Sequence, residues 1–326
     1  MLLAEFTLLR PESLETAVKL AAAPGARVIA GGTGLLPNLR LGIGAPRTLV
    51  SLEALTDLSR IESSESGARI GACVALSKII HNQFLSRNYP SLIEAAQSVA
   101  APAHRSAATL GGNLCLDTRC LYYNQSEQWR SSNGYCLKLG GDICHVAPQG
   151  KKCRAAFSGD LAPALLVLNA EVEVAGPAGM KVISLEHLYR DDGAQPLALA
   201  PGEIVAAVRL PRPLPGLRSA YVKVRSRGAI DFPLAGVAVA LVVRSGCVTH
   251  LRVALTGTNS MPFILQGTEG LLGKAPGEVL GEALAKLVRK QAGPMRTTIT
   301  PSDYRRQAAA VIAARLLARL AKGEIS

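Results

Sequence analysis

Apolar positions along the chain fall into short runs, and the period of those runs changes as the chain proceeds. FTLL at 6–9 reads as a strand, and Pro11-Glu12-Ser13 opens a helical spacing through Leu14, Ala17, Val18 and Ala21 that stops near Gly25. ARVIA at 26–30 reads as a buried strand that runs straight into GGTGLLPN at 31–38, and LVSL at 49–52 as another strand. These predict a small α/β lobe over 1–57. ARIGA at 68–72 starts a second lobe over 58–177, with helical faces at Leu76, Ile79 and Ile80 and at Leu92, Ala95, Ala96 and Val99. Within it, ALLVLNAEVEVAG at 164–176 reads as a strand pair, and GPAGM at 176–180 as a turn.

From 178 to 326 the texture becomes proline-punctuated strands: EIVAAVRL at 203–210, SAYVKVR at 219–225, LAGVAVALVVR at 234–244 and CVTHLRVALTG at 247–257. The last two are joined through Ser245-Gly246. Helical spacings over 278–290 and 301–320 follow, the second with a mixed amphipathic face. The pattern predicts an α+β terminal domain, an antiparallel sheet with helices on one side.

One stretch obeys neither period. Between TLGGNLC at 109–115 and SGD at 158–160 lie Cys115, Cys120, Cys136, Cys144 and Cys153, five of the seven cysteines. Long aperiodic loops are functional or disordered, and disordered segments are poor in cysteine and aromatics. A metal centre is the leading reading, against a disulfide-pinned loop or unrelated buried thiols. Cys120, Cys136, Cys144 and Cys153 have 15, 7 and 8 residues between them. Four thiolates satisfy either tetrahedral zinc or a [4Fe–4S] cluster, and spacing alone leaves both open. Cys115 is a reserve ligand; Cys73 and Cys247, in apolar stretches, read as buried structural thiols.

Composition narrows the classes. Hydrophobic residues make up 48% and charged residues 18% of 326, enough for two or three cores. No run is long enough to span a bilayer, and MLLAEFTLLRPESLE lacks a basic leader and a cleavage motif, so a cytoplasmic, reducing location is expected. The formal charge of +12 is spread along the chain without a basic, aromatic-interleaved cluster, which argues against nucleic acid and for an anionic cofactor or acidic partner.

Two glycine loops offer that cofactor a place. GGTG at 31–34 follows a predicted strand, and TLGGN at 109–113 repeats the device, with His104 and Arg105 just before it. Paired glycines turn sharply and expose successive amides to phosphate oxygens, although most such pairs are plain turns. The GxGxxG fingerprint is absent as a strand–helix motif.

AGGTGLLP, SAATLGGNLC, SGDLAPALLVLNAEVEV and YVKVRSRGAIDFPLAGVAVAL resemble the FAD-binding subunit of the xanthine oxidase / molybdenum hydroxylase family over essentially the whole chain. The resemblance implies a two-lobed FAD-binding module of the vanillyl-alcohol oxidase type, followed by a carbon monoxide dehydrogenase flavoprotein-like α+β domain. It implies that Ile29, Ala30, Gly31, Gly32, Thr33, Gly34, Leu35 and Leu36 form the first pyrophosphate loop. Ala101, Arg105, Thr109, Leu110, Gly111, Gly112, Asn113, Leu114, Cys115 and Asp117 would supply the second FAD-facing segment. By the same resemblance Asp160 receives ribityl hydroxyls, Val205 lies beside the isoalloxazine, Lys223 lies near the flavin carbonyls, and Asp231 contributes there or holds its own loop. Gly34 departs from relatives that carry an acid there.

The family also bears on the cysteines. Most relatives pass directly beyond GGN, whereas this chain inserts residues over about 115–157. The cysteine spacing resembles that of the 4-hydroxybenzoyl-CoA reductase branch, in its β subunit, which implies a [4Fe–4S] cluster at Cys120, Cys136, Cys144 and Cys153. It implies partners too: a molybdenum–molybdopterin cytosine dinucleotide subunit, a small subunit with two [2Fe–2S] clusters, a dimer of heterotrimers, and reduced ferredoxin as donor. Substrate chemistry would lie at molybdenum, with no catalytic residue here. Arg119, Arg130, Lys138, Lys151, Lys152 and Arg154 outnumber Asp117, Glu127 and Asp142 in the insertion, a basic face for an acidic ferredoxin.

Overall fold

A computed structural model describes residues 3–324. The first lobe is a parallel sheet in the order β1 (Thr7–Leu9), β3 (Thr48–Ser51), β2 (Ala26–Ile29). The Leu14–Ala21 helix crosses over between β1 and β2 and packs Ala17 and Val18 against Val50 and Leu52. It starts later than Pro11 suggested. Ser13 is the N-cap, its hydroxyl accepting from Thr16 N at 3.1 Å, a role proline cannot fill.

The second sheet is antiparallel, in the order β4 (Ile61–Ser64), β5 (Gly67–Gly71), β8 (Ile204–Pro211), β6 (Glu171–Gly176), β7 (Gly179–Ser184). The break expected at 178 therefore falls inside the β6–β7 hairpin. β8, read from sequence as a strand of the terminal domain, is the central strand here, with Gly71 opposite Ala207. This topology puts the division between Pro211 and Arg218.

The run at 164–168 is helix, not strand: Leu161–Val167 is helical and wholly buried. A short apolar run carries no period that separates the two. Help comes from a distant residue, as the Asn113 side chain accepts from Leu161 N at 3.0 Å and caps the first turn.

The third sheet runs β12 (Phe263–Ile264), β11 (Cys247–Thr256), β10 (Ala235–Arg244), β9 (Arg218–Val224). Alternation along β10 sends Val237, Val239 and Leu241 towards Leu284, Val288, Leu316 and Leu320 of the Glu278–Gln291 and Ser302–Lys322 helices. Ala238 and Ala240 point the other way, into the core that holds the Leu161–Val167 helix. Burial on both faces explains why LAGVAVALVV is almost continuously apolar. Small residues on the second face let the two domains approach closely.

Candidate functional site

β2 delivers the chain into the first glycine loop. Gly31 has no room for a side chain, because a Cβ there would lie 1.8 Å from Ala107 O, the segment just before the second loop. Gly32 has φ +69°, in the left-handed region. Among the described residues the N–H groups of Gly31, Gly32, Thr33 and Gly34 find no acceptor in the protein, while Leu36 N returns to Gly32 O at 3.0 Å. Ile29, Ala30, Leu35 and Leu36 flank the loop half-buried. Free amides backed closely by a neighbouring segment suit a phosphate. No acidic side chain is needed for that, so Gly34 leaves the cradle intact.

The second loop works differently from its sequence reading. Leu110 N donates to Val74 O at 3.0 Å, Gly111 N to Ala72 O at 2.8 Å, and Asn113 N to Thr109 O at 2.9 Å. Gly112 N donates to Thr109 Oγ1 at 3.1 Å. TLGGN therefore does not present an amide nest. Gly111 serves close packing, since its Cβ would sit 2.8 Å from Ala72 Cβ. Leu110 and Leu114 are buried in the core and Asn113 holds the Leu161–Val167 helix. Cys115 is half-buried, and burial pushes its thiol up to about 12.

Other implied flavin residues have protein partners. Asp160 is buried; its Oδ1 accepts from Tyr221 Oη at 2.7 Å and its Oδ2 from Lys223 Nζ at 3.1 Å. Lys223 also donates to Asp231 O at 3.1 Å. Burial pushes Asp160 up and Lys223 down, each against the pull of its partner's charge. The pair implied to face the flavin is joined to itself across the domain boundary. Asp231 Oδ2 accepts from Ser226 N at 2.9 Å and Arg227 N at 3.0 Å, so it holds its own loop. Val205 is buried in β8 opposite Val174. Ala101 precedes the Pro102–Ala107 helix, none of which is buried, and Arg105 Nη1 donates back to Val99 O at 2.8 Å.

The cysteine insertion is folded and anchored to all three sheets' surroundings. Arg119 and Ala156 bridge its ends, and it contains one capped helix, Glu127–Ser132, whose Ser126 hydroxyl accepts from Trp129 N at 3.3 Å. Arg130 is 2% exposed and donates to Leu41 O at 3.0 Å and Gly42 O at 3.1 Å in the first lobe. Leu121 N donates to Thr297 O at 2.8 Å and Ser260 Oγ to Cys153 O at 3.3 Å, which ties it to the terminal domain.

Inside it, Cys120, Cys136, Cys144 and Cys153 are buried free thiols that line one small, partly open pocket. Tyr122, Tyr123, Lys138 and His145 share that lining; Cys115 does not. Burial pushes the Cys120 and Cys153 thiols up to about 11. Among the described residues no three His, Cys, Asp or Glu side chains are arranged to hold a single metal ion. Cys73 and Cys247 are partly exposed rather than fully buried.

Asp117 belongs to this pocket by its contacts. Its Oδ1 accepts from Lys138 Nζ at 2.6 Å, and its Oδ2 from Tyr123 Oη at 2.7 Å and Asn38 Nδ2 at 3.3 Å. Asn38, on the Leu35–Arg40 helix, links the pocket to the amide loop. Sequence reading missed Asn38, Thr118 and Tyr123, and counted Lys138 only for its charge; no spacing signalled them. The basic face is also smaller than expected. Arg130 and Lys138 are buried, Arg119 lies half-buried 4.2 Å over the Phe232 ring and Arg154 pairs with Asp191 at 2.9 Å, leaving Lys151 and Lys152 exposed beside Cys153.

An amide loop at the end of β2, backed by the segment before the second glycine loop, is the feature of the first two lobes that suits a phosphate-bearing cofactor. The family described as FAD binding domain in molybdopterin dehydrogenase matches residues 4–213, and CO dehydrogenase flavoprotein C-terminal domain matches 219–320. The chain is 35% identical over 268 residues to the aldehyde oxidoreductase FAD-binding subunit PaoB of Escherichia coli (strain K12), covering 79% of this chain and 82% of that one. It is 29% identical over 321 residues to the carbon monoxide dehydrogenase medium chain of Afipia carboxidovorans, covering 95% and 94%. The crystal structure of the cyanide-inactivated Cu,Mo-CO dehydrogenase superposes with TM-score 0.81 at 25% identity over 99% of both chains. This chain belongs to the family of FAD-binding subunits of molybdenum-containing oxidoreductases, and carries that family's FAD-binding domain. No helix among the described residues is long and apolar enough to cross a membrane.

Proposed function

We propose that this chain is an electron-transfer subunit holding FAD at the first glycine loop and a [4Fe–4S] cluster at Cys120, Cys136, Cys144 and Cys153. The observation that carries the second half is the convergence of those four buried thiols on one small pocket. A soft, four-thiolate set suits iron–sulfur chemistry. When bound, the flavin supplies coupling between one- and two-electron transfers. The protein's part is to hold the pyrophosphate on the amides of Gly31 to Gly34, to exclude water from the thiols, and to join the two sites through Asn38 and Asp117.

The cysteine spacing favours a complex of the 4-hydroxybenzoyl-CoA reductase kind, in the cytoplasm, as a dimer of heterotrimers with a molybdenum subunit and a two-[2Fe–2S] subunit. Reduced ferredoxin supplies two electrons, and 4-hydroxybenzoyl-CoA with two protons gives benzoyl-CoA and water. A second reading is favoured by the 35% identity to an aldehyde oxidoreductase subunit: the complex oxidises an aldehyde with water to the acid, releasing two protons and passing two electrons to an added oxidised acceptor. Anaerobic turnover of the complete complex separates them. Benzoyl-CoA formed from 4-hydroxybenzoyl-CoA and reduced ferredoxin supports the first; aldehyde oxidation without any dehydroxylation rejects it and supports the second.

A further inference from the structure

Lys138 lines the same space as the four cysteines, and its side chain is only 6% exposed. Nζ lies 2.6 Å from Asp117 Oδ1 and 2.6 Å from Thr118 Oγ1, and 4.1 Å over the Tyr123 ring. The Thr118 hydroxyl hydrogen goes to Gly193 O at 2.6 Å, so Thr118 Oγ1 can only accept from the lysine. The other carboxylate oxygen of Asp117 is filled by Tyr123 and Asn38. Several groups thus fix an ammonium in place at the wall of a thiol pocket. Desolvating a lysine is costly, and a neutral donor could fill the same hydrogen bonds. The charge is the property such a donor would lack.

We propose that Lys138 is a positioning residue that raises the reduction potential of the four-thiolate iron–sulfur centre, with Asp117 setting how far. This rests on the [4Fe–4S] reading above. Reduction adds one electron from a low-potential one-electron donor to an already anionic centre, and no bond breaks. A fixed cation favours the more negative, reduced form, and does so more strongly in a buried site than at the surface. Asp117, equally fixed and opposite in sign, offsets part of the effect. The two residues must therefore act in opposite directions, which a purely structural role does not require.

The test is an anaerobic dithionite titration of the complete complex, followed by electron paramagnetic resonance of the reduced four-iron centre. Lys138→Met should lower the reduced-to-oxidised ratio at a fixed ambient potential about tenfold, equivalent to about 59 mV for one electron. Asp117→Asn should raise that ratio, and Lys138→Arg should stay near wild type. Shifts of the same sign in Lys138→Met and Asp117→Asn, or no shift at full iron content, overturn the proposal. So does loss of the centre in all three variants, which would make the lysine a scaffold element only. A wild-type complex without a four-iron signal from this chain overturns the cluster reading and this inference together; a normal wild-type centre with unmoved variants overturns this inference alone.

Discussion

In the terminal domain, β10 buries Val237, Val239 and Leu241 against two long helices, and its opposite face packs on the Leu161–Val167 helix. In the cysteine insertion, the cluster around Cys120 and Cys153 adds Ile43, Tyr123 and Ala155 as its other buried apolar members, and the anchors are Arg130, Lys138 and Asp117. The first region is stabilised by continuous apolar burial, the second by a few satisfied polar groups around a set of thiols. The contrast teaches where a bound group matters. A domain with its own core folds without help, whereas a segment with little core gains its order from what it binds.

The largest effect should come from Cys136→Ser, which removes a thiolate from the pocket. It should abolish four-iron occupancy and expose the insertion to proteolysis, while Leu316→Ala should cost the terminal domain about 2–5 kcal/mol and leave iron content unchanged. Limited proteolysis and iron analysis of both variants check this; iron retained in Cys136→Ser would break the contrast. Gly31→Val comes next. Its Cβ would collide with Ala107 O, so the loops must part. FAD occupancy should fall at least about tenfold with the cluster retained, measured by cofactor extraction.

Arg130→Met should act where the insertion meets the first lobe. It leaves Leu41 O and Gly42 O without their buried donor and costs about 1–3 kcal/mol, read as easier cleavage within the insertion at unchanged thermal unfolding of the terminal domain. The smallest effect concerns Glu173, buried on β6 between β8 and β7 of the second sheet and outside both regions. Hydrogen bonds from Arg69, and then from Arg209, hold its carboxyl below the usual range against the opposing effect of burial. A depressed folded value means its stabilisation is complete above the unfolded carboxylate range and is lost as pH falls through the folded value. The thermal-stability gap between wild type and Glu173→Gln should be present at neutral pH and close on acidification below about pH 4.

How legible each part is follows from what holds it. The β10–β11 hairpin is readable because Ser245 and Gly246 both adopt positive φ, 49° and 76°, at a polar two-residue turn between apolar runs. The long terminal helix is readable from its period. β8 is not, because its apolar pattern fits a strand in either domain and its partners β5 and β6 are set by long-range pairing. The Leu161–Val167 helix depends on Asn113, and the amides of TLGGN are taken by Ala72 and Val74, neither visible from local sequence. The cysteines announce a site, whereas the contact between Asp160 and Lys223 is set by packing across the domain boundary and is not visible in local sequence.

The most direct measurement is iron, acid-labile sulfide and FAD per chain in this subunit, isolated anaerobically from its complex. About four iron, four sulfide and one FAD per chain are expected, with Cys136→Ser losing the iron and sulfide and keeping the flavin. One zinc with no iron, or a flavin-loaded chain with neither metal nor sulfide, would contradict the account.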